Sequence, residues 1–138
     1  MTMKLLPRIC GLIVAAVIGL VPLTVSSPAQ AASKTVAGCP RGYVCLYERG
    51  ESLTKSHLQK KWFNYGVKNL HHVYGRHWIM NNQWGGAYVT LYTKPNGHGK
   101  CYTLKGGKSG SPTVDRRNFT PIDSIRLSKH RPDGCKRA

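Results

Sequence analysis

Acidic side chains are what this 138-residue chain has least of: five Asp and Glu stand against 21 Lys and Arg, for a net charge of +16. Hydrolysis by paired carboxylates needs two well-placed acids, and Glu48, Glu51, Asp115, Asp123 and Asp133 are scattered. Calcium prefers several charged oxygen ligands, which the same scarcity denies it. No Cys-x-x-Cys pair and no His-Glu-x-x-His segment occurs, so zinc has no recognisable frame. The histidines are His57, His71, His72, His77, His98 and His130; His71-His72 with His77 is the tightest group, and without regular spacing they read as surface residues. Ser124 beside Asp123 lies in no nucleophile motif. An arginine-rich tail and a basic amphipathic helix are also missing, which argues against a dedicated nucleic-acid module. These absences together predict no enzyme, no cofactor and no metal site.

An apolar run over residues 9–25 follows Lys4 and Arg8, and Ala29 and Ala31 supply the small residues of a cleavage site. This predicts a secretory signal peptide over 1–31, too short and too interrupted by Pro22 to serve as an anchor. The expected extracellular product, residues 32–138, is a single domain with 19 basic and five acidic side chains, a net +14. Such a balance attracts polyanions such as anionic cell-wall polymer or membrane, and by self-repulsion it also keeps a secreted protein soluble and monomeric. Four cysteines remain in that product: Cys39, Cys45, Cys101 and Cys135. An even count in a small exported domain predicts two disulfides, with three pairings open in principle. Pro40 and Gly42 turn the chain between Cys39 and Cys45, which favours a local bridge there and leaves Cys101 to tie down the tail through Cys135.

The strongest pattern is a repeat. Tyr43-Val44-Cys45-Leu46-Tyr47 recurs 45 residues later as Tyr88-Val89-Thr90-Leu91-Tyr92, both alternating with the period of a strand. Each copy is followed by a second short apolar run, Trp78-Ile79-Met80 and Ile125-Arg126-Leu127. Two units of this size, residues 39–83 and 84–128 with a tail over 129–138, are too small to bury a core alone, so they are expected to pack face to face. Residues 100–104 read as a further strand and 106–112 as an exposed loop. Residues 58–62 fit a strand or one helical turn, and 67–74 are ambiguous. Asn81-Asn82 has the chemistry of a turn joining the repeats. Trp62, Trp78 and Trp84 stand among Tyr65, Tyr74 and Tyr88, aromatics able to stack on sugars or bases, although core filling is their commoner use in a small β-domain.

Cys-Pro-x-Gly-x-x-Cys-Leu-Tyr after a leader, Val-x-Leu-Tyr with a following Gly-x-Gly and Cys101, and a closing Ile-Asp-Ser-Ile-Arg-Leu resemble the small secreted actinobacterial proteins of βγ-crystallin fold. That group includes the Streptomyces metalloproteinase inhibitor family. The resemblance covers nearly all of 32–138 and implies an all-β, disulfide-braced sandwich of two Greek-key motifs. In the crystallin hairpin signature Tyr92 and Gly99 match, while Gly97 replaces the second aromatic; the first repeat keeps Tyr47 and has Ser52 and Thr54 at the other two places. Gly99 is expected at positive φ, letting the hairpin fold over Tyr92. The calcium-binding members place acidic or amide pairs where this chain has Gly75-Arg76-His77-Trp78 and residues 119–124, without the acidic pair.

The resemblance implies a secreted peptidase inhibitor acting on an extracellular protease, most directly a metalloprotease, through a rigid substrate-like loop. The best-known inhibitors close that loop with two nearby cysteines, whereas Cys101 and Cys135 are 34 residues apart, so the contact loop is left unassigned. The alternative, resting on charge and aromatics, is a cationic antimicrobial or cell-envelope-binding protein.

Overall fold

A computed structural model describes residues 34–107 and 111–138. The expected leader, residues 1–31, lies outside the described residues. The two copies of the repeated pentapeptide become β1 (Val44–Tyr47) and β5 (Tyr88–Lys94), and each is an interior strand of its own sheet. Around them run β2 (Leu58–Trp62), β3 (Gly66–Asn69), β4 (Arg76–Asn81), β6 (His98–Lys105), β7 (Thr113–Asn118), β8 (Ser124–Ser128) and β9 (Lys136–Arg137). One sheet has the order β2-β1-β4-β7 and the other β3-β8-β5-β6-β9. The third strand of each repeat therefore leaves its own sheet: β3 pairs with β8 of the second repeat and β7 with β4 of the first. Neither repeat can complete its sheet without the other.

The equivalence extends to register. Leu46 lies opposite Ile79 and Leu91 opposite Ile125, the same pair in the two halves. These four, with Val44, Val89, Leu104 and Leu127, form the main core, closed by Phe119, Ile122, Leu70 and Val73. Each such side chain contributes on the order of 1.5–3 kcal/mol when buried. β1 is covered on both faces, because Cys45 and Tyr47 enter a second cluster with Cys39 and Met80. The disulfides join Cys39 to Cys45 and Cys101 to Cys135, the expected pairs. The second of these lays the tail along β6 as the parallel strand β9, with Tyr102 opposite Lys136 and Thr103 opposite Arg137.

Two expectations are corrected and a third gains detail. The strand expected to end near Asn81-Asn82 does end at Asn81, ahead of the turn into the second repeat, and both amides are fully buried. Asn81 Nδ2 donates to the carbonyls of Ala87 and Leu104, and Asn82 Nδ2 to those of Lys34 and Cys39, so the joint is a hub of backbone satisfaction. Gly106, assigned to an exposed loop, is buried, with its N–H donating to Ala87; residues 108–110 of that loop lie outside the described residues. His77, read as a surface residue, is 2% exposed. The ambiguous stretches resolve as well: residues 58–62 are strand, and of 67–74 only the first three are.

Candidate functional site

The Cys39–Cys45 disulfide closes a loop small enough to present residues to a partner. Its backbone is nevertheless engaged by the protein itself. Gly42 N–H donates to Asn82 O, Asn82 N–H to Tyr43 O, Tyr43 N–H to Pro40 O, and Asn82 Nδ2 to Cys39 O. Arg41 Nη1 reaches Asn82 Oδ1 at 3.3 Å. A substrate-like loop must offer free backbone groups to the enzyme that receives it. This loop has few left, and its role is that of a floor.

Beside that floor lies a cleft of about 340 Å³ lined by Gly42, Phe63, Asn64, Tyr65, Gln83 and Trp84. Phe63 and Tyr65 lie just after β2 and Trp84 just after β4, so the end of the first sheet brings the three rings together. Tyr43 backs Phe63 with ring centroids 5.1 Å apart, and Lys61 Nζ sits 5.8 Å over Tyr43. Gly42 takes φ +93°, and a Cβ there would lie 3.2 Å from Phe63 Cε2 and 3.5 Å from Trp84 Cη2. The glycine thus admits the two rings to the same space. Gln83 donates its backbone N–H and its Nε2 to Asn81 Oδ1, at 3.2 and 3.0 Å, which fixes the amide orientation and leaves Oε1 buried without a partner. Of the aromatics singled out in the sequence, Trp84 and Tyr65 belong to this cleft; Trp62 packs on the main core, Trp78 on the second cluster, Tyr88 lies under Lys105, and Tyr74 is exposed elsewhere. Phe63 and Gln83 carried no motif, and their part in the cleft follows only from the fold.

A second cavity, about 450 Å³, is lined by Tyr88, Thr103, Lys105, Thr113, Arg131 and Arg137 among others. Arg131 is anchored there, its Nε donating to Thr103 Oγ1 at 3.2 Å and its Nη2 to Cys135 O. Three pairs of adjacent basic residues fall on outer strands of the two sheets, Lys60 and Lys61 on β2, Arg116 and Arg117 on β7, and Lys136 and Arg137 on β9, with Lys68 on β3. Charge on an outer strand opposes pairing with another chain, so part of the cationic excess has a structural use.

Among the described residues no group of three His, Cys, Asp or Glu side chains could hold a metal ion. His77, from the tightest histidine group, has both ring nitrogens facing backbone carbonyls, Tyr47 O at 2.7 Å and Tyr74 O at 3.0 Å, and stands edge-on to Phe119. The residues at the calcium-site positions are likewise used internally. Thr120 Oγ1 accepts from Gly75 N–H, and Ser124 Oγ donates to Lys94 O at 2.7 Å while accepting from Gly97 N–H at 3.0 Å. That bridge pins the folded hairpin, in which Gly99 takes φ +86° as expected. Burial pushes the Tyr47 phenol up to about 12. Its hydroxyl donates to Ala37 O at 3.1 Å, in the second cluster.

The chain matches no protein-family model, no curated protein and no solved structure with which it was compared.

Proposed function

We propose that the chain is a secreted, non-catalytic peptidase inhibitor of βγ-crystallin-like architecture, directed at an extracellular metalloprotease. The observation that carries this reading is the exchange of third strands between two equivalent repeats, β3 to the second sheet and β7 to the first, together with the hairpin folded over at Gly97 and Gly99. The resemblance to the crystallin-fold inhibitors implies such a body. Two disulfides and a buried amide joint hold it rigid, so ordering costs are met before the partner arrives, and preorganisation of this kind is where an inhibitor gains affinity. Secretion is supported by the leader pattern and by the disulfides, which persist in oxidising compartments. The Cys39–Cys45 loop, most of whose backbone groups are engaged internally, is a poor candidate for the contact loop, which stays unassigned. The test is a panel of secreted metallo-, serine and cysteine proteases titrated with the refolded 32–138 protein. Stoichiometric inhibition of a metalloprotease below micromolar concentration is expected; no inhibition of any of them at micromolar protein ends the reading.

A second reading, a cationic cell-envelope-binding protein, is favoured by one observation, the cavity where Lys105, Arg131 and Arg137 meet around Thr103. Binding carried by those charges weakens steeply with salt, whereas a buried inhibitory contact does not.

A further inference from the structure

The aromatic cleft plays no part in the inhibitor reading, and its composition specifies a ligand. Of the five large hydrophobic side chains exposed among the described residues, three line it: Phe63 at 48%, Tyr65 at 56% and Trp84 at 57%. Scattered exposure would need no explanation, but three rings converging on one concavity do. Two of the rings have a prepared seat: Gly42 makes room for Phe63 and Trp84, the Cys39–Cys45 disulfide braces the floor, and Tyr43 backs Phe63. Against them lies Gln83, 2% exposed, whose Oε1 has no hydrogen-bond partner among the protein's groups. A ligand hydroxyl or N–H that shifts this amide slightly would supply the missing donor.

We propose that this cleft binds a neutral pyranose ring of a polysaccharide. A pyranose presents a flat C–H face to aromatic rings and hydroxyl donors at its edge, and the cleft lining has both counterparts: the rings of Trp84, Tyr65 and Phe63, and the amides of Gln83 and Asn64. The lining holds no Lys, Arg, Asp or Glu. A nucleic-acid strand brings phosphates that need cations along the groove. The neighbouring Lys61 and Arg41 are engaged over Tyr43 and on Asn82. A quaternary ammonium ion would suit the rings but has no donor for Gln83 Oε1. The assignment is independent of protease inhibition, since neither the rings nor Gln83 is used in that reading.

The test is retention of the refolded 32–138 protein on microcrystalline cellulose and on peptidoglycan freed of its phosphate polymers, in about 0.5 M salt so that the +14 charge is screened. Retention on at least one glycan is expected, with tryptophan fluorescence changing on addition of a soluble fragment of it. Trp84→Ala and Tyr65→Ala should each weaken binding tenfold or more without shifting the melting temperature, both side chains being exposed. The proposal is overturned if neither glycan retains the protein, or if Trp84→Ala binds as well as the parent. A dimer that Trp84→Ala abolishes, without glycan retention, would overturn it too and assign the cleft to a second copy of the chain.

Discussion

The two repeats share a register and differ in how their first hairpins are closed. In the second, β5 and β6 run seven and eight residues, and the connection is bridged by Ser124 to Lys94 and Gly97. In the first, β1 and β2 run four and five residues; both hairpins carry a register shift, at Leu46/Tyr47 and at Tyr92/Lys94, but the pairing of β1 with β4 stops at Leu46 opposite Ile79 whereas that of β5 with β8 continues to Tyr92 opposite Ser124. His77 supplies a substitute there, bonding Tyr47 O from the side chain where Asp123 bonds Tyr92 O from the backbone. The second repeat is thus closed by local hydrogen bonds and the first by a buried ring, a second apolar cluster and the short disulfide. Relaxing the hairpin bridge in the first half goes together with the aromatic cleft, which lies at that half's end of the sheet. The duplicated body keeps its core pairs, Leu46 with Ile79 and Leu91 with Ile125, and varies its closures.

The largest expected effect compares the two disulfides. Replacing Cys101 and Cys135 by Ala opens a 34-residue separation and should cost about 4 kcal/mol; replacing Cys39 and Cys45, six apart, should cost about 2 kcal/mol. Denaturant unfolding of the two double variants measures both. A larger loss for the short bridge would show that the first half depends on it for more than chain entropy.

Next comes alkaline stability. Tyr47 is raised from 10 to about 12, so above pH 10 the unfolded chain loses a proton that the folded chain keeps. The contribution is fully present below pH 10 and is lost as pH rises through about 12, a decline on the order of 2–3 kcal/mol. Tyr47→Phe should remove that part of the slope, which urea midpoints across this window would show. An unchanged slope would mean that the second cluster does not bury the phenol when folded.

The closures themselves should weigh less. Ser124→Ala and His77→Phe each strand buried backbone partners and should cost about 1–2 kcal/mol. Hydrogen exchange should then rise at Gly97 for the first variant and around Tyr74 for the second. Exchange rising in the same place for both would dissolve the contrast between the halves. The smallest effect is expected from calcium: millimolar additions should leave the melting temperature unchanged, because both candidate segments lack an acidic pair and use their hydroxyls internally. A rise of several degrees would reveal ligation through backbone carbonyls.

Strands whose residues repeat or enter the main core were legible in the sequence. β1 and β5 announce themselves by duplication, β4 and β8 by short apolar runs at matching distances, and the disulfides by the turn residues between Cys39 and Cys45. β7 was not legible, because Thr-Val-Asp-Arg-Arg-Asn has no apolar alternation; as an outer strand it half-buries Thr113, Asp115 and Arg117, with Asp115 and Arg117 paired at 2.9 Å. β9 is two charged residues made a strand by the disulfide beside them. The buried role of Asn81 and Asn82 was hidden because their chemistry is that of a turn until the carbonyls they satisfy are known. The cleft was partly visible: Trp84 and Tyr65 stood out as aromatics, but Gln83 becomes informative only when Asn81 uses one end of its amide.

As a proposed inhibitor, the domain is expected to act by a buried, preorganised contact and not by its charge. The direct measurement is the inhibition constant toward a susceptible secreted metalloprotease, followed from low ionic strength to about 0.5 M salt, where the Debye length falls to a few ångströms. Association should slow while the inhibition constant stays within about tenfold, since a desolvated contact is little screened. An inhibition constant that worsens by several powers of ten over the same range, in step with release of the protein from anionic cell wall, would contradict the claim.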